Sequence, residues 1–178
     1  MSTQTNEKTE NTATSAGCFA SRPQAEHEWL QKLVGEWSYE GSCAPEPGQP
    51  EMKFSGTETV RSIGGLWVLA EGRGEMPGGG EAVSLLTIGF DPVRGKYVGT
   101  WVGSMLAHLF VYEGNMDSTG RVLSLDCEGP VAPGSSQIGK FRDIVEIRND
   151  NERIFTGNRL GEDGRMEELM RIVYRRKA

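Results

Sequence analysis

The order of apolar and polar residues changes character near Gly35. Before it, Leu30, Leu33 and Val34 recur at helical spacing, which predicts a short helix that begins near Pro23 and is ended by Gly35. After it, apolar and polar residues alternate with a period of two, in short segments separated by clusters of Gly, Pro, Asn and Asp. The predicted strands cover residues 36–43, 52–62, 66–75, 82–90, 96–104, 106–116, 121–128, 139–148, 152–160 and 166–175.

Short strands that follow one another through tight turns are typical of an all-β protein. We therefore predict a single closed antiparallel up-and-down β-barrel of about ten strands, lipocalin-like in shape, with a short N-terminal helix. A barrel of about ten strands is wider than one of eight, so we expect an interior cavity unless large side chains fill it. Residues 23–178 would form this domain, and residues 1–22, rich in Ser, Thr, Asn and Glu, are predicted to be a disordered tail.

The alternation also predicts which side chains point into the barrel, because every second residue of a strand faces the same side. On the predicted fifth strand, Tyr97 and Trp101 are separated by Gly99, and a small residue between aromatic residues leaves room for a ligand. The side chains predicted to bind a ligand are Phe54, Phe90, Tyr97, Trp101, Met105, His108, Phe141, Glu168, Met170 and Tyr174.

Composition excludes several classes of partner. The formal net charge is −6 and the sequence pI is about 5.1, with no basic stripe that could neutralise a phosphate backbone, so we predict no nucleic-acid partner. Cys18, Cys43 and Cys127 are widely spaced and lack a C-x-x-C pair, which favours neither a disulfide scaffold nor a zinc site. No apolar stretch is long enough to cross a bilayer, so we expect a cytoplasmic protein without a membrane, metal or cofactor partner.

Two carboxylates and one histidine are the candidate chemical groups. Glu58 is two residues from Val60, and Glu168 is two residues from Met170, so the alternation predicts that both carboxylates face into the barrel. There they could anchor a ligand or form an acid/base pair. The alternative is that each pairs with an arginine, or that a bulge turns it outward. His108 could be a general base, a haem ligand or a structural residue, and its parity sets it opposite Trp101 if the alternation continues unbroken between them.

A series of separated motifs carries a family resemblance. A short helix leading into Gly-x-Trp on a first strand, with arginines on the last, resembles the calycin superfamily of lipocalins and fatty-acid-binding proteins. The chain is more closely similar to a largely bacterial family known as domain of unknown function 1579, over essentially residues 25 to 177. The motifs that match are Glu26-His27, Leu33-Val34-Gly35-Glu36-Trp37, Arg61-Ser62-Ile63-Gly64-Gly65, Gly89-Phe90-Asp91, Lys96-Tyr97-Val98-Gly99-Thr100-Trp101, Ser104-Met105 and Met170-Arg171-Ile172-Val173-Tyr174-Arg175.

The calycin resemblance implies that the tryptophan of the first strand, Trp37 here, closes the base of the barrel, with an arginine of the last strand (Arg171, Arg175 or Arg176) packed across it. The family resemblance implies a small-molecule cavity and supplies no catalytic residue. One position departs from the family, which usually has an aspartate where this chain has Gly103. Any role of that inward carboxylate is therefore not expected here.

Three functional classes remain open from the sequence. The first is a barrel that binds a small, mostly apolar molecule. The second is an enzyme of cyclase, isomerase or hydratase type that uses Glu58, Glu168 or His108 in the same cavity. The third is a structural or interaction protein, such as a homo-oligomer, whose barrel is filled by its own side chains.

Overall fold

The computed structural model describes residues 21–44, 51–76 and 79–178. Almost all of the predicted tail over residues 1–22, including Cys18, lies outside these residues, and so does the segment at 45–50 between the first two predicted strands. The described residues form one helix, α1 (Ala25–Gln31), and ten strands. The strands are β1 (Gly35–Cys43), β2 (Met52–Ile63), β3 (Trp67–Glu75), β4 (Glu81–Asp91), β5 (Lys96–Gly103), β6 (Leu106–Met116), β7 (Val122–Pro130), β8 (Ile138–Asn149), β9 (Glu152–Leu160) and β10 (Met166–Arg176).

The ten strands form a closed barrel in which each strand is antiparallel to the next. The last strand returns to the first, so that Arg176 of β10 lies opposite Trp37 of β1. Closure leaves no free sheet edge among these strands. The predicted all-β, up-and-down closed barrel is confirmed, and every predicted strand bound lies within two residues of the observed one.

Helix α1 closes one end of the barrel, which we call the base. Trp29 and Leu30 of the helix are buried, and the Trp29 Nε1–H donates a hydrogen bond to the carbonyl of Gly120 at 2.9 Å. The Tyr97 hydroxyl of β5 donates to the carbonyl of Glu26, 3.3 Å away. These bonds fix the helix across the strand ends, while its apolar face completes the core.

His27 shapes the start of α1 and is not a solvated residue. Its Nδ1 accepts the backbone N–H of Gln24 at 3.0 Å, so its Nε2–H is free to donate to the carbonyl of Phe90 at 3.1 Å. The side chain is 3% exposed. His27 therefore caps the start of the helix. None of the helical segments in the described ranges is both long and apolar enough to span a bilayer.

The strand pairing is irregular at two places, and one of them changes which side chains face inward. Between β5 and β6 the register shifts by two between Trp101 and Gly103, which leaves the two faces unchanged, and Phe110 lies opposite Trp101. Between β9 and β10 it shifts between Glu168 and Met170. A residue added to one strand of a pair turns the following side chains to the other face.

Candidate functional site

The burial of inward side chains differs between the two ends of the barrel interior. In the base, inward side chains pack into a continuous core against α1; its members are Trp29, Leu30, Leu33, Trp37, Val60, Val68, Ile88, Tyr97 and Leu123. Towards the opposite end of the barrel, many inward side chains are only partly buried, although Leu125 and Cys127 of β7 are buried at the level of Asp143 and Phe141. We call this part the upper chamber; the side chains that line it are Tyr39, Phe54, Leu86, Trp101, Phe110, Phe141, Asp143, Phe155 and Met170.

We call the end of the barrel opposite the base the mouth. Inward side chains of the upper chamber are partly exposed well below this end. Leu86 lies at the middle of β4 and Phe155 near the middle of β9, and both face inward, yet neither is fully buried. Ile88, one inward step closer to the base, is 0% exposed. On β4 and β9, partial exposure of inward side chains therefore reaches about mid-strand, beside the buried Ala70 and Ile172 of the neighbouring strands.

Glycines in the wall allow aromatic rings to lie close against the sheet. The Phe54 ring occupies the space where a Cβ of Gly41 would be, and the Phe110 ring does the same at Gly129. Any larger residue at these two positions would push the ring towards the barrel axis. The aromatic rings thus line the wall of the upper chamber instead of crossing it.

The predicted ligand-binding residues do not form one group. Phe54, Trp101, Phe141 and Met170 lie in the upper chamber. Phe90, Tyr97 and Tyr174 belong to the base, where Phe90 and Tyr97 meet at a centroid distance of 5.2 Å. Burial raises the pKa of Tyr97 to about 12.

Met105 and His108 lie near the mouth of the barrel. Met105 is in the turn between β5 and β6 and is 43% exposed. His108 shares the inner face with Phe110 and contacts its ring at a centroid distance of 4.8 Å, and its Nε2 lies 3.3 Å from the carbonyl of Glu128. Paired residues of antiparallel strands face the same side, so the turn at Ser104 and Met105 brings His108 to the same side of the wall as Trp101, and the alternation does not continue unbroken between them.

Glu168 lies on the outer face, where it pairs with Arg171 at 3.0 Å. The parity argument, which grouped it with Met170, fails because the register shift separates these two residues. A bulge that turns the carboxylate outward was the alternative interpretation of the sequence. Glu168 is therefore not placed to contact a ligand in the chamber.

Glu58 points inward, as its parity predicts, and is paired with the guanidinium of Arg153. Both side chains are almost fully buried, at 7% and 5% exposure. The centre of the Arg153 guanidinium lies 4.0 Å from the ring centroid of Tyr174 and 4.8 Å from that of Trp37. The ion pair and the two rings form a compact unit at the top of the base.

The terminal arginines have different roles. Arg176 packs on Trp37, with 4.2 Å from guanidinium to ring centroid, and donates to the carbonyls of Val34 and Lys32 at 2.6 and 2.8 Å. Arg171 and Arg175 instead pair with carboxylates on the outer face. The expected arginine across the tryptophan of the base is thus Arg176.

A second carboxylate, Asp143, points into the upper chamber. It lies on β8 opposite Gly157 of β9, and its Oδ2 accepts the Tyr112 hydroxyl of β6 at 2.6 Å. Burial raises the pKa of Asp143 to about 6, while the Tyr112 hydrogen bond opposes that shift. Burial also raises the pKa of the neighbouring Cys127 thiol to about 12 and raises the pKa of Tyr112, so both stay protonated near neutral pH.

Asp143 was not among the predicted site residues, although the sequence contains a signal for it. Asp143 lies midway between Phe141 and Val145, and because every second residue of a strand faces the same side, the alternation places all three on the inner face. Tyr112 likewise has the parity of Phe110. Arg153, the partner of Glu58, is two residues before Phe155, so the alternation places these two side chains on the same face of β9. The alternation does not show which carboxylate an inward arginine pairs with across the barrel.

Gly103 explains why the family's usual aspartate would not fit here without rearrangement. A Cβ at this position would lie 2.5 Å from the ring of Trp101 and would overlap the sulfur of Met105. Trp101 thus lies over the wall at Gly103. In the upper chamber, an inward carboxylate is supplied by Asp143, on a different strand.

A separate concavity lies at the base. It has a volume of about 330 Å³ and lies between the end of α1 and the β8–β9 turn. Its lining includes the buried residues Leu33, Trp37 and Arg153, together with Lys32, Asn149, Asn151 and Arg176. Arg176 already donates to three backbone carbonyls here. This concavity contains none of the predicted ligand-binding residues. Among the described residues, no group of three or more His, Cys, Asp or Glu side chains is arranged to hold a metal ion.

Comparison with known proteins supports the fold. A family model described as "Protein of unknown function (DUF1579)" matches residues 22–176. The crystal structure of Rv2717c from M. tuberculosis superposes with a TM-score of 0.64 at 13% identity, covering 87% of this chain and 99% of that one. A redesigned β-barrel gives a TM-score of 0.44 at 11% identity, covering 86% of this chain and 96% of its own. Comparison with curated proteins finds no match.

Proposed function

The chain belongs to the DUF1579 family of proteins of unknown function, and from that premise we propose that its barrel binds a small, mostly apolar molecule in the upper chamber. The proposed contacts are Phe54, Trp101, Phe141 and Met170, with Met105 and His108 at the mouth. The base, including Phe90, Tyr97 and Tyr174, would form the floor below the ligand.

The observation that carries this proposal is the exposure of inward side chains at mid-height. A side chain that faces the inside of a closed barrel can be reached by solvent only if the interior contains open volume. Leu86 and Phe155 meet that condition near the centres of their strands. Apolar lining with a few polar groups is typical of small-molecule sites.

The contacts favour binding over catalysis by the residues that the sequence suggested. Glu58 is held in the ion pair with Arg153, Glu168 is on the outer face, and His108 is near the mouth. An acid/base pair needs two such groups within hydrogen-bond reach of one reacting atom. These three residues do not come together.

The proposal is tested by native mass spectrometry and tryptophan fluorescence with a panel of lipids and apolar metabolites. Trp101 lines the chamber, so a bound ligand should quench part of the emission, and Trp101→Phe should remove that part. A variant that fills the chamber, Met170→Trp, should weaken binding about tenfold or more. The matched control is Met166→Trp on the same strand, at a residue that is 41% exposed.

Two results would contradict the proposal. If no member of the panel binds, the barrel is better described as a structural or interaction protein. If a ligand binds equally to the wild type and to Met170→Trp, the site is elsewhere.

A further inference from the structure

We propose that the molecule bound in the upper chamber carries a protonated amine, and that Asp143 is the residue that binds it. This inference rests on the proposed function, because it names the chemical class of the same ligand. Its basis is the position, contacts and charge environment of Asp143.

The carboxylate of Asp143 has one oxygen engaged and one available. Oδ2 accepts the Tyr112 hydroxyl at 2.6 Å, which fixes the orientation of the group. Oδ1 accepts no hydrogen bond from any residue of the described ranges, and it faces the bare backbone of Gly157. A Cβ at Gly157 would lie 3.5 Å from Oδ1 and 3.1 Å from the Cγ of Met170, so glycine keeps a larger side chain away from this oxygen.

No protein cation neutralises Asp143 among the described residues. Arg153 lies below it on the inner face of β9 and is paired with Glu58. Arg159 lies above it on the same strand, at the mouth, and is paired with Glu167 at 3.4 Å. Because a buried carboxylate is costly without a partner, the chamber has an uncompensated site for one positive charge.

The aromatic rings around Asp143 suit the same ligand. Trp101, Phe110 and Phe141 form an edge-to-face series, with centroid distances of 5.7 Å and 6.2 Å between successive rings. Ring faces attract cations as well as apolar groups, and the attraction is greater away from bulk water. A ligand with an ammonium group on an apolar body therefore meets complementary groups at both ends.

The test uses a matched set of probes and isothermal titration calorimetry at pH 8. The set is 1-naphthylmethylamine, 1-naphthylmethanol and 1-naphthoate, with the corresponding benzyl compounds as a smaller series. We expect the amine to bind roughly tenfold or more tighter than the alcohol, the range expected for a charge-assisted hydrogen bond, and the carboxylate to bind more weakly than both.

Two variants test whether the charge of Asp143 causes the preference for the amine over the alcohol. Asp143→Asn keeps an oxygen for the Tyr112 hydroxyl and removes the charge, and it should bring the amine and the alcohol within about twofold of each other. Tyr112→Phe keeps the charge and should keep the preference. Glu168→Gln, which removes a carboxylate from the outer face, is the matched control and should leave the preference unchanged.

The outcomes separate the two proposals. Equal binding of the amine and alcohol to the wild type, or a preference that survives Asp143→Asn, overturns the role of Asp143 and leaves the proposed function standing. Binding by no member of either series overturns both.

Discussion

The base and the upper chamber are built from the same ten strands but differ in how their interior is filled. In the base, side chains such as Leu30, Ile88 and Leu123 are 0% exposed, and α1 covers the strand ends. In the upper chamber, the aromatic rings lie against glycines in the wall and remain partly exposed. Closure of a barrel thus does not determine whether it is solid; the size and placement of inward side chains do.

The same contrast applies to buried charge. Glu58, at the top of the base, has a cationic partner in Arg153 that is itself packed between two rings. Among the described residues, Asp143 in the chamber is bonded by the Tyr112 hydroxyl alone. The contacts of Glu58 are those of a structural carboxylate, and Asp143 is the carboxylate that we propose binds a ligand.

The largest effect is expected from breaking the ion pair of the base. Glu58→Ala leaves the Arg153 charge buried without its partner, and the free energy of unfolding should fall by about 3–5 kcal/mol, measured by urea denaturation. Glu168→Ala removes a carboxylate from an exposed pair and should change it by less than about 1 kcal/mol. Similar losses in both variants would show that the base is not the packed part of the barrel.

A pair of truncations compares the two interiors directly. Leu123→Ala in the base should lower the free energy of unfolding by about 3 kcal/mol, because it leaves a cavity in a core that cannot collapse. Met170→Ala in the chamber should lower it by only about 1 kcal/mol, since the side chain is already partly exposed. Equal costs, measured under the same denaturation conditions, would contradict the distinction.

The pH dependence of stability should identify the unpaired carboxylate. Burial raises the pKa of Asp143 from 3.8 to about 6, so the folded state holds this proton more tightly than the unfolded state. The contribution of Asp143 to stability is therefore full below about pH 4 and is lost as the pH rises to about 6. Tyr112, Cys127 and Tyr174, which face Asp143, have raised pKa values and stay neutral throughout this window.

Asp143→Asn removes this loss. The stability of the variant relative to the wild type should increase by up to about 3 kcal/mol between pH 4 and pH 7, as measured by urea denaturation across that range. Glu168→Gln, on the outer face, is the control and should show no comparable change. A flat difference for Asp143→Asn would mean that this carboxyl is well solvated.

The sequence was sufficient for the fold because period-two alternation and turn residues repeat along the whole barrel. It also placed Glu58 and Phe141 on the inner face. It failed at Glu168, because a one-residue register shift reverses every inward and outward assignment beyond it. It failed at His108 relative to Trp101 because a two-residue turn between the strands interrupts the alternation. It could not find the Glu58–Arg153 pair, since contacts across a barrel depend on tilt and closure and not on spacing along a strand.

The most direct test of the central claim is a crystal structure of the protein under xenon pressure. Xenon binds in apolar cavities without needing a specific ligand. We predict xenon in the upper chamber, within contact of Phe54, Trp101 and Phe141, and none among Leu30, Ile88 and Leu123 of the base. A barrel without xenon in the chamber, or with xenon in the base, would contradict the division of the interior into an open chamber and a packed base.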